Sequence, residues 1–357
     1  MRPPVRDDVA LMAGYHSPQL DVAVRLNTNE APEPPPPEFT ERVADAVRAL
    51  DWHRYPDRGA TALRARIAEV DGFVPGQVFV ANGSNEVLQT VCLTYGGADR
   101  DALVFEPTYA LHAHISRVCG TGVIEVERND DFTIDVDAAV ATIGERRPAV
   151  TFLCSPNNPT GMIESAATVE RILGAVESVD GLLVVDEAYG QFAPWSALAL
   201  VDEDRSLVVT RTFSKTWAMA AARLGYLVGP SWLVAELDKV VLPYHLDAAK
   251  QAAGLIALDY VDAMRRRVAS LVEERGRVAA ALDGLAVTQW ASGANFILFR
   301  PEQLAGDEVW QGLVDRSVLV RNCSSWPRLD GCLRVTLGTP AENDAFLAAL
   351  AGILGTS

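Results

Sequence analysis

Between Gln77 and Gly229 one pattern recurs, and it restricts the fold more than any other part of the chain. Short apolar runs, QVFVANG, ALVFEP, VIEVE, AVTFLCSP, LLVVDEA, LVVTRTFS and LGYLVG, each stop at turn residues. Amphipathic segments of helix length, such as NEVLQTVCLTYG and SAATVERILGAVES, separate several of them. Strands that are apolar on both faces must be covered on both faces, so this alternation predicts an α/β fold with a mainly parallel sheet between helices. In such sheets the groups that carry chemistry collect at strand ends.

The flanks read differently. Prolines in NEAPEPPPPEF, Asn29 to Phe39, exclude helix and central strand and favour an extended crossing arm. Helical spacing follows from Phe39 to Leu50 and, after the turn WHRYPDRGA, from about Thr61 to Val70. A long helical region spans about Ala248 to Leu282. Then WASGANFILFR, SVLVRNC and CLRVTLGT read as strands of a smaller sheet, and ENDAFLAALAGIL as a closing helix. The expected division is an arm and part of a small domain in 1–45, a large domain in 46–246 with its boundary near Leu246, and a small domain in 247–357, with the arm packing back on the last.

A chain of 357 residues, 49% hydrophobic, can bury more than one core. No window has the uninterrupted apolar length of a membrane span, and the N-terminal stretch lacks the apolar core of a signal peptide, so a cytoplasmic location is expected. A net charge of −16 argues against nucleic acid or an anionic membrane as partner. Five scattered cysteines without a C-x-x-C, and His112 and His114 without accompanying ligands, give no zinc or other metal site. Packing or surface roles are the default for the histidines. Three lysines, Lys215, Lys239 and Lys250, stand against 28 arginines, so chemistry needing a deprotonatable amine has three side-chain candidates.

Four strand ends are chemically rich. In ANGSNE, Ser84 follows Gly83 where a helix can begin, and free N–H groups there can hold a phosphate or simply be capped. In CSPNNPTG, prolines fix Asn157 and Asn158 at a sheet edge, either as a self-bonded turn or as a ligand contact. LLVVDEAY delivers Asp186 and Glu187 to a buried strand end, where a carboxylate requires a cationic partner such as a protonated ring nitrogen or an arginine. In TRTFSKTWAMAAARLGY, Lys215 sits among apolar residues near Arg223, and both desolvation and repulsion lower its pKa and free its amine to condense with a carbonyl. Lys239 and Lys250 have ordinary helical settings. A phosphate cradle, an amide, a carboxylate, a phenol and a desolvated lysine together make the contact set that pyridoxal 5'-phosphate requires.

RLNTNEAP, HRYPDRG, ANGSNE, EPTY, SPNNPTG, VDEAY, RTFSK, ARLGY and LRVTLGT occur in that order. The chain resembles the histidinol-phosphate aminotransferase family of fold-type I, class II pyridoxal-phosphate-dependent aminotransferases over nearly its whole length. The resemblance implies a seven-stranded, mainly parallel sheet in the large domain, a smaller α+β domain, and a homodimer with shared sites. It implies that Lys215 binds the cofactor aldehyde and moves the substrate's proton, and that Asp186 holds the ring nitrogen. Asn158 and Tyr189 would bond the phenolic oxygen, Tyr109 would stack on the ring, and Ser84, Asn85, Thr212, Ser214 and Arg223 would cradle the phosphate. Tyr55 would reach that phosphate from the neighbouring subunit. Arg334 and Arg321 would bind substrate carboxylate and phosphate, with Tyr15 and Asn29 beside the substrate.

The implied reaction is transamination of L-histidinol phosphate with 2-oxoglutarate, a step of histidine biosynthesis. An aromatic amino-acid aminotransferase and a decarboxylase of phosphorylated amino acids use the same chemistry, and a catalytically silent cofactor-binding module is the alternative of another class. Trp217 and Ala221 replace a smaller aromatic and a glycine of the family pattern, and Ala31 stands where a polar residue is frequent, which bears on pocket shape.

Overall fold

The computed structural model describes residues 3–10, 12, 14 and 19–355. Tyr15 lies outside them. Among the described residues the chain forms two sheets. Strand β1 is Val24–Leu26; β2 to β8 are Val78–Ala81, Asp101–Glu106, Gly122–Glu127, Val150–Cys154, Leu182–Asp186, Leu207–Thr212 and Gly225–Val228; β9 to β12 are Val287–Gln289, Phe296–Pro301, Val318–Asn322 and Leu333–Thr336. The helices α1 to α6 are Asp7–Ala10, Pro37–Arg48, Thr61–Asp71, Ser84–Tyr95, Leu111–Val118 and Val136–Arg146. Helices α7 to α12 are Ala166–Glu177, Ser231–Val240, Ala248–Ala257, Val261–Leu282, Gly306–Val314 and Pro340–Leu354.

The larger sheet has the order β2-β8-β7-β6-β5-β3-β4, and every apolar run read as a strand between Gln77 and Gly229 enters it. It is parallel except for β8, which runs antiparallel to both β7 and β2. Strands β2, β5, β6 and β7 are buried at every residue. That is why they read as continuous apolar runs: two separate apolar clusters cover the opposite faces of β5, β6 and β7, and a third covers the second face of β2.

The smaller sheet has the order β1-β11-β12-β10-β9. The arm enters it through β1, paired in parallel with β11, a strand that apolar spacing alone does not reveal in three residues. Helix α2 begins two residues earlier than read from the sequence, because Pro37 occupies the first turn, where a missing N–H is harmless. The long helical region is interrupted: a 3-10 turn, Leu258–Tyr260, separates α9 from α10. Packing also crosses the sequence boundary near Leu246. Ala253, Ala257 and Met264 pack with Phe39, Leu63 and Leu224, while Leu271, Val278 and Leu282 pack with the smaller sheet. Val268 touches both groups, so we place the change of core within α10. No described helix is long and apolar enough to cross a membrane.

One close backbone approach joins the large sheet to the first turn of α4. A Cβ on Gly225 would lie 2.3 Å from the Ser84 backbone nitrogen, so only glycine lets β8 pass that turn. Gly225→Ala is expected to cost about 1–3 kcal/mol of folding stability, by the usual penalty for overpacking, measured by urea denaturation.

Candidate active site

The ends of β2, β5, β6 and β7 surround a cavity of about 320 Å³ that the smaller sheet closes from the far side. Thirteen of the residues singled out in the sequence line it: Asn29, Ser84, Asn85, Tyr109, Asn158, Asp186, Tyr189, Thr212, Ser214, Lys215, Arg223, Arg321 and Arg334. Tyr55 does not. Its side chain is 79% exposed and stacks on Tyr244 with ring centroids 4.4 Å apart.

One end of the cavity is built for an anion. Gly83, at φ 80°, turns the chain from β2 into α4, so the free N–H groups of the helix start face the cavity edge beside Ser84. A Cβ on Gly83 would sit 2.7 Å from Arg223 Nη2, so the turn leaves room for that guanidinium. Arg223 Nη1 donates to Ser214 Oγ at 3.1 Å, and Thr212 Oγ1 donates to the same hydroxyl at 3.0 Å. Two hydroxyls, a guanidinium and a helix N-terminus thus converge on one place.

At the centre, β6 presents Asp186, only 1% exposed. Its Oδ2 lies 2.9 Å from His112 Nε2, and its Oδ1 accepts from the Ala188 amide at 3.0 Å and from Thr210 Oγ1 at 3.2 Å. His112 stacks flat on Phe152 at 5.0 Å and meets the edge of Tyr109 at 5.4 Å. The packing role expected for His112 is therefore incomplete: it contacts the buried carboxylate directly. The arginine partner considered for this strand end belongs instead to Glu187, which pairs with Arg211 at 3.0 Å. The two asparagines separate likewise. Asn157 is occupied by Thr160 of its own loop and by Thr108 and the Pro107 carbonyl of the loop after β3, whereas Asn158 faces the cavity and accepts from Arg334 Nη1.

Tyr189 is buried, and Asn29 Nδ2 donates to its hydroxyl at 2.9 Å. Burial pushes the phenol up to about 12 against the opposing pull of Arg334, so its proton stays in place as a hydrogen-bond donor. Asn29 itself is fixed at φ 54° by two bonds with Thr336, which couples the arm to β12. Tyr109 donates to Asn85 Oδ1 at 3.2 Å, which sets its ring at the cavity wall.

Lys215 opens on the cavity, so part of its surface is accessible, yet protein encloses the amine closely. Desolvation first, and then repulsion from Arg334 and Arg223, bring its pKa down to about 7, with Glu30 opposing. Its Nζ donates to the Thr28 carbonyl at 3.0 Å. Across the cavity, Arg321 of β11 and Arg334 of β12 are register partners, which places both on one face of the sheet. Arg334 also donates to the Asn27 carbonyl at 3.0 Å and lies 5.1 Å over Phe296. Trp217 and Ala221 do not line the cavity. The Trp217 indole is buried against Phe213 at 5.4 Å, so these departures from the family pattern leave the pocket shape alone.

The aminotransferase class I and II family model matches residues 21–350. A histidinol-phosphate aminotransferase from Mycobacterium marinum is 43% identical over 99% of this chain and 93% of its own length. The chain belongs to the histidinol-phosphate aminotransferase family. A second member of that family, from Nocardia farcinica, is 45% identical over 96% of this chain and 90% of its own. The fold matches that of the histidinol-phosphate aminotransferase of Sinorhizobium meliloti, solved with pyridoxal-5'-phosphate, with a TM-score of 0.88 at 22% identity and coverage of 99% and 98%.

The lowered lysine makes a prediction that needs no substrate. Without cofactor, the folded chain holds the Lys215 proton weakly, at about 7, while the unfolded chain holds it at the ordinary 10.5. The unfolded state therefore binds more protons between those values, and stability rises with pH across that window. Urea denaturation of cofactor-free protein at pH 7 and pH 9 is expected to show this rise, and Lys215→Met is expected to flatten it.

Proposed function

We propose that this chain transfers an amino group from L-histidinol phosphate to 2-oxoglutarate with pyridoxal 5'-phosphate as cofactor, giving imidazole acetol phosphate and glutamate. The observation that carries the reading is the placement of a low-pKa lysine between an anion cradle and a pair of arginines in one cavity. The cavity suits the cofactor by its donor set. Ser84, Thr212, Ser214 and Arg223 would hold the phosphate, aided by Asn85 and the α4 N-terminus. Asp186 would hold the ring nitrogen, Asn158 and Tyr189 the phenolic oxygen, and Tyr109 the ring face.

When bound, the cofactor supplies an aldehyde that condenses with amines and a ring that draws electrons away from the substrate's Cα. The remaining work belongs to the chain. Lys215 Nζ, whose pKa burial and the neighbouring arginines lower from the ordinary lysine value, can take a proton from carbon and return it, because it is readily available as the neutral amine. Asp186, fixed by His112, Thr210 and the Ala188 amide, has no freedom to leave its partner, so its orientation is set before the ligand arrives. Tyr189 keeps its proton and donates from a hydroxyl already oriented by Asn29.

Arg334 and Arg321 face the same space and offer planar donor forks, one suited to glutamate's carboxylate and the other to a phosphate. The five cysteines are all unpaired thiols, which fits the reducing cytoplasm. Tyr55 serves a second copy of the chain. Tyr55 and Tyr244 stack as an exposed pair outside the cavity, which supports a homodimer in which each Tyr55 reaches the partner's cofactor phosphate.

Amino transfer from L-histidinol phosphate and from phenylalanine to 2-oxoglutarate tests the reading. Histidinol phosphate is expected to be the far better donor by kcat/KM. Arg321→Ala is expected to lower kcat/KM for it by about ten- to a hundredfold, the usual worth of a charge-assisted hydrogen bond, with little effect on phenylalanine. Equal or better use of phenylalanine by the unaltered enzyme would select the aromatic aminotransferase reading. For the shared site, inactive Tyr55 and Lys215 variants are expected to recover activity on mixing under conditions of subunit exchange; no recovery despite exchange would refute it.

A further inference from the structure

The loop from Cys323 to Cys332 joins β11 to β12 and so connects the two strands that carry Arg321 and Arg334. Within it Trp326 lines the cavity, and the Arg321 guanidinium lies 5.4 Å from the centre of its ring. Beneath, Leu329, Cys323 and Cys332 pack with Phe132 and Trp290, giving the loop a small apolar foundation.

Two residues beyond Trp326 the loop reaches the other sheet. Arg328 donates to the Arg128 carbonyl and to Asp130, and pairs with Glu127 at 3.2 Å. Glu127 ends β4, the edge strand of the large sheet. Arg128 is itself immovable: it is 1% exposed, paired with Glu164 at 2.6 Å and bonded to the carbonyls of Phe105 and Phe132. The loop is therefore fastened at a rigid point of the large sheet while its tryptophan covers an arginine of the small one.

We propose that this loop is a specificity clasp: Trp326 holds Arg321 in the orientation that receives the substrate's phosphate, and Arg328 holds Trp326 by pinning the loop across the two sheets. The substrate part rests on the phosphorylated-donor reading above. The geometry suits the task because cation–π attraction to a ring restrains a guanidinium without using its N–H donors in a hydrogen bond. The face used by Trp326 is one that a phosphate does not need. Arg321 also has Arg334 directly across the sheet, and like charges so placed drive each other apart. Arg334 is fastened by Asn158, Asn27 and Phe296; the cation–π contact with Trp326 resists the corresponding displacement of Arg321.

The test uses the cofactor-loaded enzyme and the variants Trp326→Leu, Trp326→Phe and Arg328→Gln. Two quantities are read for each: kcat/KM with L-histidinol phosphate and with phenylalanine, and the inhibition constant of inorganic phosphate against phenylalanine turnover. Trp326→Leu is expected to lower kcat/KM for histidinol phosphate about five- to twentyfold, through KM, with a much smaller loss for phenylalanine and weaker inhibition by phosphate. Trp326→Phe keeps an aromatic face and is expected to recover most of both. Arg328→Gln is expected to show the same selective pattern at smaller amplitude.

Equal losses with both donors, or inhibition by phosphate unchanged in Trp326→Leu, would overturn the clasp and leave the loop a structural support. If the unaltered enzyme fails to prefer histidinol phosphate, the proposed reaction falls, yet the phosphate inhibition constant still decides whether Trp326 governs anion binding at Arg321.

Discussion

The site depends on keeping one lysine amine poorly hydrated between two guanidinium groups. Lys215 shares its cavity with Arg334 and Arg223, both of which repel its charge, and the enclosing protein removes the water that would stabilise it. A lysine in this position is useful only if it cannot swing away, and its bond to the Thr28 carbonyl fixes it against the arm. Under the proposed function the unfavourable proximity of cations is offset, because the same groups would share anions, a phosphate at one end of the cavity and substrate at the other.

The fold makes that proximity possible by bringing distant segments to one level. Strands β5, β6 and β7 lie side by side in parallel, so Asn158, Asp186 and Thr212 reach the same edge from separate crossovers. The large sheet supplies the hydroxyls beside Arg223, the carboxylate and the amine, while the small sheet supplies Arg321 and Arg334. Between them runs the arm, where Asn29 bonds Tyr189 on one side and Thr336 on the other. Closure of the cavity is thus a property of three segments far apart in sequence, and a change in the arm reaches the phenol and the arginine strand together.

Much of the fold and site is legible in the sequence, for physical reasons. Buried strands cannot hide their composition, so the central strands of the large sheet stand out as apolar runs, and the edge strand β4, more exposed, still alternates apolar residues as VIEVE. Asp186 and Lys215 stand out because ionisable groups in apolar settings need an explanation. His112 gives no comparable signal, since a histidine on an apolar helix face ordinarily packs. Its spacing three residues after Tyr109, which puts both rings on one face at the start of α5, is the available clue. The three-residue strand β1, the break between α9 and α10, and the approach of Trp326 to Arg321 depend on tertiary contacts that no local pattern records. Trp217 shows the opposite case: a conspicuous departure beside the lysine that turns out to face the core.

Borohydride reduction of the cofactor-loaded protein, with peptide mapping of the product, tests the central role of Lys215 most directly. Reduction fixes the cofactor permanently to whichever amine holds it, and this chain has only Lys215, Lys239 and Lys250 among its side chains to offer. The expected result is cofactor on the peptide containing Lys215 alone. Label on Lys239 or Lys250, or loss of all label to free cofactor under conditions where activity persists, would contradict that role.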